Sequence, residues 1–504
     1  MEQALLWWGL LVIEINFLRY MSQSDIQTEF SPLFHPQSIA VLGASSATRN
    51  RSNVIIDRLQ RFGFTGPIYP IHPKAKEIDG LTAYPSLGET PTLVDYVYVA
   101  IPAGAIPDAL RAGKGNVKFA HVISSGFGET EDGLALQQEL IDAGNESGIR
   151  ILGPNCPGAY CPTGGLIFVE NSSPEPGHIG VVSQSGGIAM DIIWSGNERG
   201  LRFSAVMTTG NTADVGPGEL LDYYLEDPDT HVIALYLEGV RDGRQFFEAL
   251  RRAAGKKPVV ILKSGRSAQG QLAAASHTGA LAADDRIWDA LFKQTGAIRA
   301  GDLHELIDIL AAFQALKPRP SRPTTGAALL GNGGGTSVIA VDAFADCGLD
   351  VLPFQQQTQE ALIALELPPG TGFVNPIDTP AGAFQRKGGK LAEEILEAVF
   401  AHETLDAFVL HINLPVLLTQ VVTNAKTVET LLELTEGVRA RYPGDEHFML
   451  VLRSDGKPET NRCKQEFRNW AGERGIPVFD ELANAAKALA GIATYERFLF
   501  RHRK

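Results

Sequence analysis

One pattern recurs three times in this chain and constrains its fold more than any other feature: a short apolar run, a turn of glycine and small polar residues, then an amphipathic stretch. Residues 38–45 read Ser-Ile-Ala-Val-Leu-Gly-Ala-Ser. Residues 177–187 read Gly-His-Ile-Gly-Val-Val-Ser-Gln-Ser-Gly-Gly, and residues 327–335 read Ala-Ala-Leu-Leu-Gly-Asn-Gly-Gly-Gly. An apolar run of four or five residues closed by glycine is too short for a helix and suits a strand buried on both faces. Further apolar runs follow each unit: 67–72, 96–101, 120–124 and 149–152 after the first, 204–208, 232–238 and 259–263 after the second, and 407–412, 447–453 and 477–479 after the third. Helix-period stretches lie between them, at 53–62, 133–148, 188–200, 282–294, 336–347 and 389–402. Strand and helix alternating at this spacing predict βαβ units and parallel sheets. The expected fold is therefore α/β, with three consecutive doubly wound domains.

A length of 504 residues suits about three domains. The expected boundaries are 30–162, 176–316 and 324–504. The proline-rich residues 317–323 (Lys-Pro-Arg-Pro-Ser-Arg-Pro) are read as a stiff linker. Residues 1–29 are read as an extension, disordered or preceding a natural start at Met21. Their apolar run lacks a basic flank and a cleavage site and is broken by Glu14, so it is neither a signal peptide nor a span; a membrane-surface anchor is the alternative. A net charge of −14 argues against nucleic acid or an anionic membrane as the main partner. Four scattered cysteines show neither zinc-site nor disulfide spacing, so a reducing cytoplasm is expected and no metal ligands are assigned. Cys156 is read as a buried small residue.

The glycine turns are the natural places for chemistry. Helix N-termini leave amide N–H groups free and favour anions, and glycine lets a ligand approach the backbone. The turn at Gly43, Ala44 and Ser45 is neither a full G-x-G-x-x-G nor a Walker A loop. The turn ending in Ser185, Gly186 and Gly187 offers two hydroxyls and three amides, which suits a phosphoryl group. It does not match the G-x-S-x-G elbow of hydrolases. Glu238 closes the run Val-Ile-Ala-Leu-Tyr-Leu-Glu, so its carboxylate falls at the ligand edge of a doubly wound sheet, where it could orient or neutralise an imidazole. His277 lies in Ala-Ala-Ser-His-Thr-Gly-Ala-Leu, sterically open and without a metal-ligand pair or a triad beside it. If it is chemical, it carries a phosphoryl group covalently. Asn155, in the rigid turn Gly-Pro-Asn-Cys-Pro-Gly, and Lys74 are further ligand candidates; a plain turn residue and a solvated lysine are the alternatives.

Together these stretches resemble the NDP-forming acyl-CoA synthetases, the superfamily of succinyl-CoA synthetase and ADP-forming acetyl-CoA synthetase. The similarity runs over residues 30–490 and rests on 39–45, 68–74, 124–129, 153–158, 180–187, 237–239, 274–281, 332–335 and 375–378. It implies a CoA-binding Rossmann-like domain followed by two flavodoxin-like ligase domains. It also implies that His277 is the phosphohistidine and Glu238 its acidic partner. Ser185, Gly186 and Gly187 would open one helix facing the phosphoryl group. The 375–380 loop, with Asn375 and Thr379, would open an opposing helix. Gly43, Ala44, Ser45, Lys74, Ser125 and Asn155 would line the coenzyme A site. The family also needs an ATP-grasp module, for which three segments leave no room. A separate ATP-grasp subunit would then supply NTP and Mg²⁺ binding. The function so implied is that of a ligase subunit interconverting a small carboxylic acid, CoA and NTP with acyl-CoA, NDP and phosphate. A CoA-binding regulatory protein, or an NTP-independent acyl or carbamoyl transferase on the same fold, is the alternative.

Overall fold

A computed structural model describes residues 23–130, 132–272, 284–380, 390–419 and 425–502. They form two compact units. Of the described residues, the first comprises those up to 190, 203–256 and 264–287, and the second 191–202, 257–263 and those from 288 on. Among the described residues no helix is long and apolar enough to cross a membrane.

The first unit opens on a five-stranded parallel sheet in the spatial order Ile68–Ile71, Ile39–Leu42, Val94–Val99, Val117–Val122, Arg150–Leu152. Ile39–Leu42 and Val94–Val99 are buried along their whole length, as expected of strands covered on both faces. Counted along the chain, the strands stand 2-1-3-4-5. The turn at Gly43 therefore leaves the sheet where the direction of winding reverses, the place where such sheets form a ligand crevice. The unit's second group of strands repeats this arrangement. Ile179–Ser183 lies between Phe203–Thr208 and Val232–Leu237, both parallel to it, and Ala159–Tyr160 adds an antiparallel edge.

Residues 23–29, placed from sequence outside the first domain, in an extension either disordered or preceding a start at Met21, begin the helix Gln23–Phe34. Its apolar face anchors it. Phe30, Leu33 and Phe34 are fully buried, and Phe34 stacks on Tyr223 with ring centroids 3.7 Å apart. Arg150 completes the attachment, bridging Glu29 at 2.8 Å, Asp214 at 3.0 Å and Glu219 at 2.8 Å.

The second unit contains the pair Val259–Lys263 and Ile298–Ala300 and a five-stranded parallel sheet. Its order is Ile377–Asp378, Ala328–Gly331, Ala407–Asn413, His447–Arg453, Val478–Phe479, again 2-1-3-4-5. Its core joins Phe408, Leu410 and Leu450 of the strands to Ile395 and Leu396 of the helix Lys390–His402. Residues 317–323 are no free spacer. Arg319 is buried, and its backbone N–H donates to Glu496 of the helix Leu482–Arg501 at 2.7 Å.

Two helices begin earlier than the sequence predicts, at Gly186 and Gly334 in place of 188 and 336. In both cases the glycines of the turn are already the helix's first turn, where a missing side chain costs little and backbone amides point outward.

Candidate active site

The expected coenzyme A residues all lie on loops at one edge of the first sheet. Gly43, Ala44 and Ser45 follow Ile39–Leu42, Lys74 follows Ile68–Ile71, Ser125 follows Val117–Val122, and Asn155 follows Arg150–Leu152. Every one of these strands is parallel, so the loops share the C-terminal edge. Lys74 and Ser125 are exposed there, and Asn155 is half-buried with a left-handed φ of 60°. Gly43 has φ +113°, and a Cβ on it would sit 2.3 Å from the Ala100 carbonyl oxygen, so the fold itself requires glycine here. Ser45 is held within its own loop: its N–H donates to Asn53 Oδ1 at 3.1 Å and its hydroxyl accepts from the amides of Ala47 and Thr48.

The three glycine turns differ in what they leave open. After Gly43 the chain runs to Asn50 before the helix Arg51–Phe62 starts. Asn50 caps that helix, accepting from Ser52 N and Asn53 N, and Asn53 answers with a bond to the Asn50 amide. This helix start is therefore closed by its own residues. In the second unit, Asp378 Oδ1 accepts from Gly333 N at 2.6 Å, which sets a carboxylate against the start of the helix Gly334–Asp346. At the 183–187 turn the capping group is a neutral serine. Ser183 Oγ donates to the Ser185 carbonyl, Ser185 Oγ accepts from Ile188 N, and Gly187 is exposed. Among the described residues nothing accepts from the N–H groups of Gly186 and Gly187. A Cβ on Gly186 would lie 2.5 Å from Pro157 Cδ, so glycine is needed there for close packing. This helix N-terminus can receive an anion; the Gly334 and Gly335 amides likewise have no acceptor among the described residues, but the Asp378 carboxylate stands beside them and disfavours a second negative charge.

Glu238 follows Val232–Leu237 and is half-buried; the Tyr236 hydroxyl donates to its Oε1 at 3.4 Å. His277 lies outside the described residues.

Asn375 and Thr379 flank a short strand of the second unit's sheet. Within the segment they bound, Ile377–Asp378 forms an edge strand paired with Ala328–Gly331, and residues 381–389, where the expected helix would open, lie outside the described residues. Both side chains serve that edge. Asn375 Oδ1 accepts from Leu329 N, and its Nδ2 donates to the carbonyls of Ala327 and Leu352. The Thr379 hydroxyl and backbone N–H both donate to the Gly331 carbonyl.

Sequence reasoning missed the residues that tie the loops together. Gln184 reaches Glu238, Gly239 and Thr212. Thr209 N donates to the Ser183 carbonyl, Asn211 N to Pro154 O and Ala213 N to Gly153 O, so residues 209–213 join the 183–187 turn to the Asn155 loop. Asn211 Nδ2 also donates to Glu129 Oε2 at 2.6 Å, while Glu129 Oε1 accepts from Gly126 N. Burial pushes the Glu129 carboxyl upward, but these hydrogen bonds outweigh it and hold its pKa below the ordinary value. The short polar run Thr-Thr-Gly-Asn-Thr, 208–212, was the one available signal in the sequence. Cys156 is buried, and that burial pushes its thiol well above the usual range, so it is no nucleophile.

Residues 37–162 match the CoA binding domain family, and residues 176–313 match the succinyl-CoA ligase like flavodoxin domain family. The chain is 33% identical over 482 residues to the acetate–CoA ligase (ADP-forming) I subunit alpha of Pyrococcus furiosus, covering 94% of this chain and 99% of that protein. It is 32% identical over 377 residues to the 4-hydroxybutyrate–CoA ligase (ADP-forming) of Nitrosopumilus maritimus, covering 73% of this chain and 53% of that one. Among solved structures, the dinucleotide-forming acetyl-coenzyme A synthetase 1 of Ca. Korarchaeum cryptofilum, in complex with phosphate and ADP, superposes with a TM-score of 0.78 at 27% identity. That match covers 94% of this chain and 99% of the other.

Proposed function

Because the chain belongs to the NDP-forming acyl-CoA synthetase family, we propose that it is the CoA-binding, phosphohistidine-bearing subunit of an acyl-CoA ligase. Its partner is a separate ATP-grasp subunit, which binds NTP and Mg²⁺. Residues 30–162 are the CoA domain, and 176–316 and 324–504 are the two ligase domains. The complex works in the cytoplasm, where four free cysteines are at home.

In the synthetic direction His277 takes the γ-phosphoryl group from NTP, and NDP leaves. A carboxylate oxygen of the acid then attacks phosphorus, which frees the imidazole and gives an acyl phosphate. The CoA thiolate attacks the acyl carbon, and inorganic phosphate departs. Covalent carriage on the imidazole divides one difficult exchange into easier ones. Glu238 orients the imidazole and balances its charge. The Gly186 and Gly187 amides stabilise the phosphoryl oxygens, and preorganised donors of this kind contribute about 3 kcal/mol each where charge develops. Lys74, Ser125 and Asn155 hold CoA at the neighbouring sheet edge.

The observation that carries this reading is the open helix start at Gly186–Glu198, beside a strand-end glutamate and joined through residues 209–213 to the Asn155 loop. The test uses the full chain together with the ATP-grasp subunit that co-purifies with it, incubated with γ-labelled ATP. Label should appear on this chain and vanish in His277→Ala; equal labelling of the variant would refute the phosphohistidine. CoA binding without any labelling or acyl-CoA formation would leave a CoA-responsive binding protein.

A further inference from the structure

We propose that Gln184 is a positioning residue for Glu238, fixing the acidic strand end against the phosphoryl-binding turn; the inference rests on the ligase reading above. A glutamine amide has two acceptor and two donor positions, and in this chain all four are filled. Oε1 accepts from Glu238 N at 2.6 Å and from Gly239 N at 3.1 Å. Nε2 donates to Gly239 O at 2.8 Å and to Thr212 Oγ1 at 3.2 Å. The backbone pairing of Ile179–Ser183 with Val232–Leu237 ends at Ser183 and Tyr236, with one further bond from Gln184 N to Tyr236 O. Beyond that point the Gln184 side chain takes over from the ladder.

It does so at the one place where the ladder's own geometry would be unhelpful. A strand continued past Leu237 would alternate side chains across the sheet. The chain instead turns at 238–239, and both amides of the turn point at one glutamine oxygen. Gln184 is flanked by Ser183 and Ser185, so the residue that anchors Glu238 belongs to the same turn that carries the open amides of Gly186 and Gly187. A single side chain thereby sets the distance between the acidic group and the anion-binding helix start. Thr212 holds the other end of the amide and is itself braced, its hydroxyl donating to Gly210 O at 3.2 Å and its N–H to Thr209 O at 2.8 Å. None of these bonds reaches the exposed Lys74 or Ser125, so the effect of losing them should fall on phosphoryl transfer and leave CoA capture alone.

Gln184→Met removes all four bonds at similar volume, whereas Gln184→Glu keeps the two accepted bonds and loses the two donated ones. In the complex with the co-purifying ATP-grasp subunit, Gln184→Met should lower kcat and the rate of labelling from γ-labelled ATP by about 10- to 100-fold, as misplacing a reacting group by about 1 Å does. The KM for CoA should stay within about twofold. Gln184→Glu should lose less than Gln184→Met in both rates, and it also serves as the test if the methionine variant does not fold. Wild-type labelling rates in both variants, or a rise in KM for CoA that matches the fall in kcat, would overturn the positioning role. Absence of label on the wild-type chain would instead overturn the phosphohistidine reading on which it rests.

Discussion

His121 sits in the first unit between Tyr96 and Thr208, fully buried. A carbonyl can only accept, so Nε2 carries the proton and donates to Thr208 O at 3.1 Å. Nδ1 then accepts from the Tyr96 hydroxyl at 2.8 Å. Burial pushes the pKa from 6.5 down to about 3, against the raising effect of the Thr208 carbonyl. Between pH 6.5 and about 3 the unfolded chain binds a proton here and the folded chain does not, so stability falls as pH falls, by about 1.4 kcal/mol per unit; above 6.5 there is no contribution. From pH 7 to 4.5 the wild type should lose about 2–3 kcal/mol more than His121→Gln in denaturant titrations; parallel losses would show that the imidazole is not held neutral. Legibility at this scale was uneven. Glu238, Ser185, Gly186 and Gly187 announce themselves through their immediate neighbours. Gln184 does not, because its partners lie 28, 54 and 55 positions away.

At the level of elements, three junctions that look alike in sequence behave differently. Asn50 closes the first, while the second and third leave their two leading glycine amides without an acceptor among the described residues; Ser185 caps the second at Ile188 N, and the Asp378 carboxylate stands beside the third. Capping side chains decide this, and Asp378 comes from another strand. The helix Gln23–Phe34 makes a related point. Its sequence, with Pro32 inside and little periodicity, reads poorly as a helix, yet Phe30, Leu33 and Phe34 anchor it on Tyr223 and Tyr224. Truncating Phe34 to Ala should destabilise the chain by about 3–5 kcal/mol in thermal or urea unfolding, the usual cost of emptying a phenylalanine site. A loss below about 1 kcal/mol would return this helix to the status of an appendage.

On the scale of the molecule, the same 2-1-3 arrangement recurs around each glycine turn, which is why sequence periodicity alone yielded an α/β class with parallel sheets. The proline-rich stretch was less legible: its composition suggests a spacer, but Glu496 makes it part of the second unit. That carboxylate is fully buried, accepts from Arg319 N and Thr324 N at 2.7 Å, and pairs with His447 Nε2 at 2.8 Å. Burial pushes its pKa up, but the His447, Thr324 and Arg319 bonds prevail and hold it below the ordinary value. Glu496→Ala would leave the Arg319 guanidinium buried beside no carboxylate on that side and should cost about 3–5 kcal/mol of stability, with Glu496→Gln milder. Equal melting of the wild type and the alanine variant would contradict this.

By itself the sequence determined the fold class, the three glycine turns and the family, because strand length, turn chemistry and motif order are local properties of a chain. Only the tertiary structure decided which of the open turns has a carboxylate set beside it, that Asn375 and Thr379 brace an edge strand, and that Gln184 ties the strand-end glutamate to the anion-binding turn. The reason is physical: whether a polar group is free for a ligand depends on every partner within about 3 Å of it, and here those partners come from distant stretches of the chain.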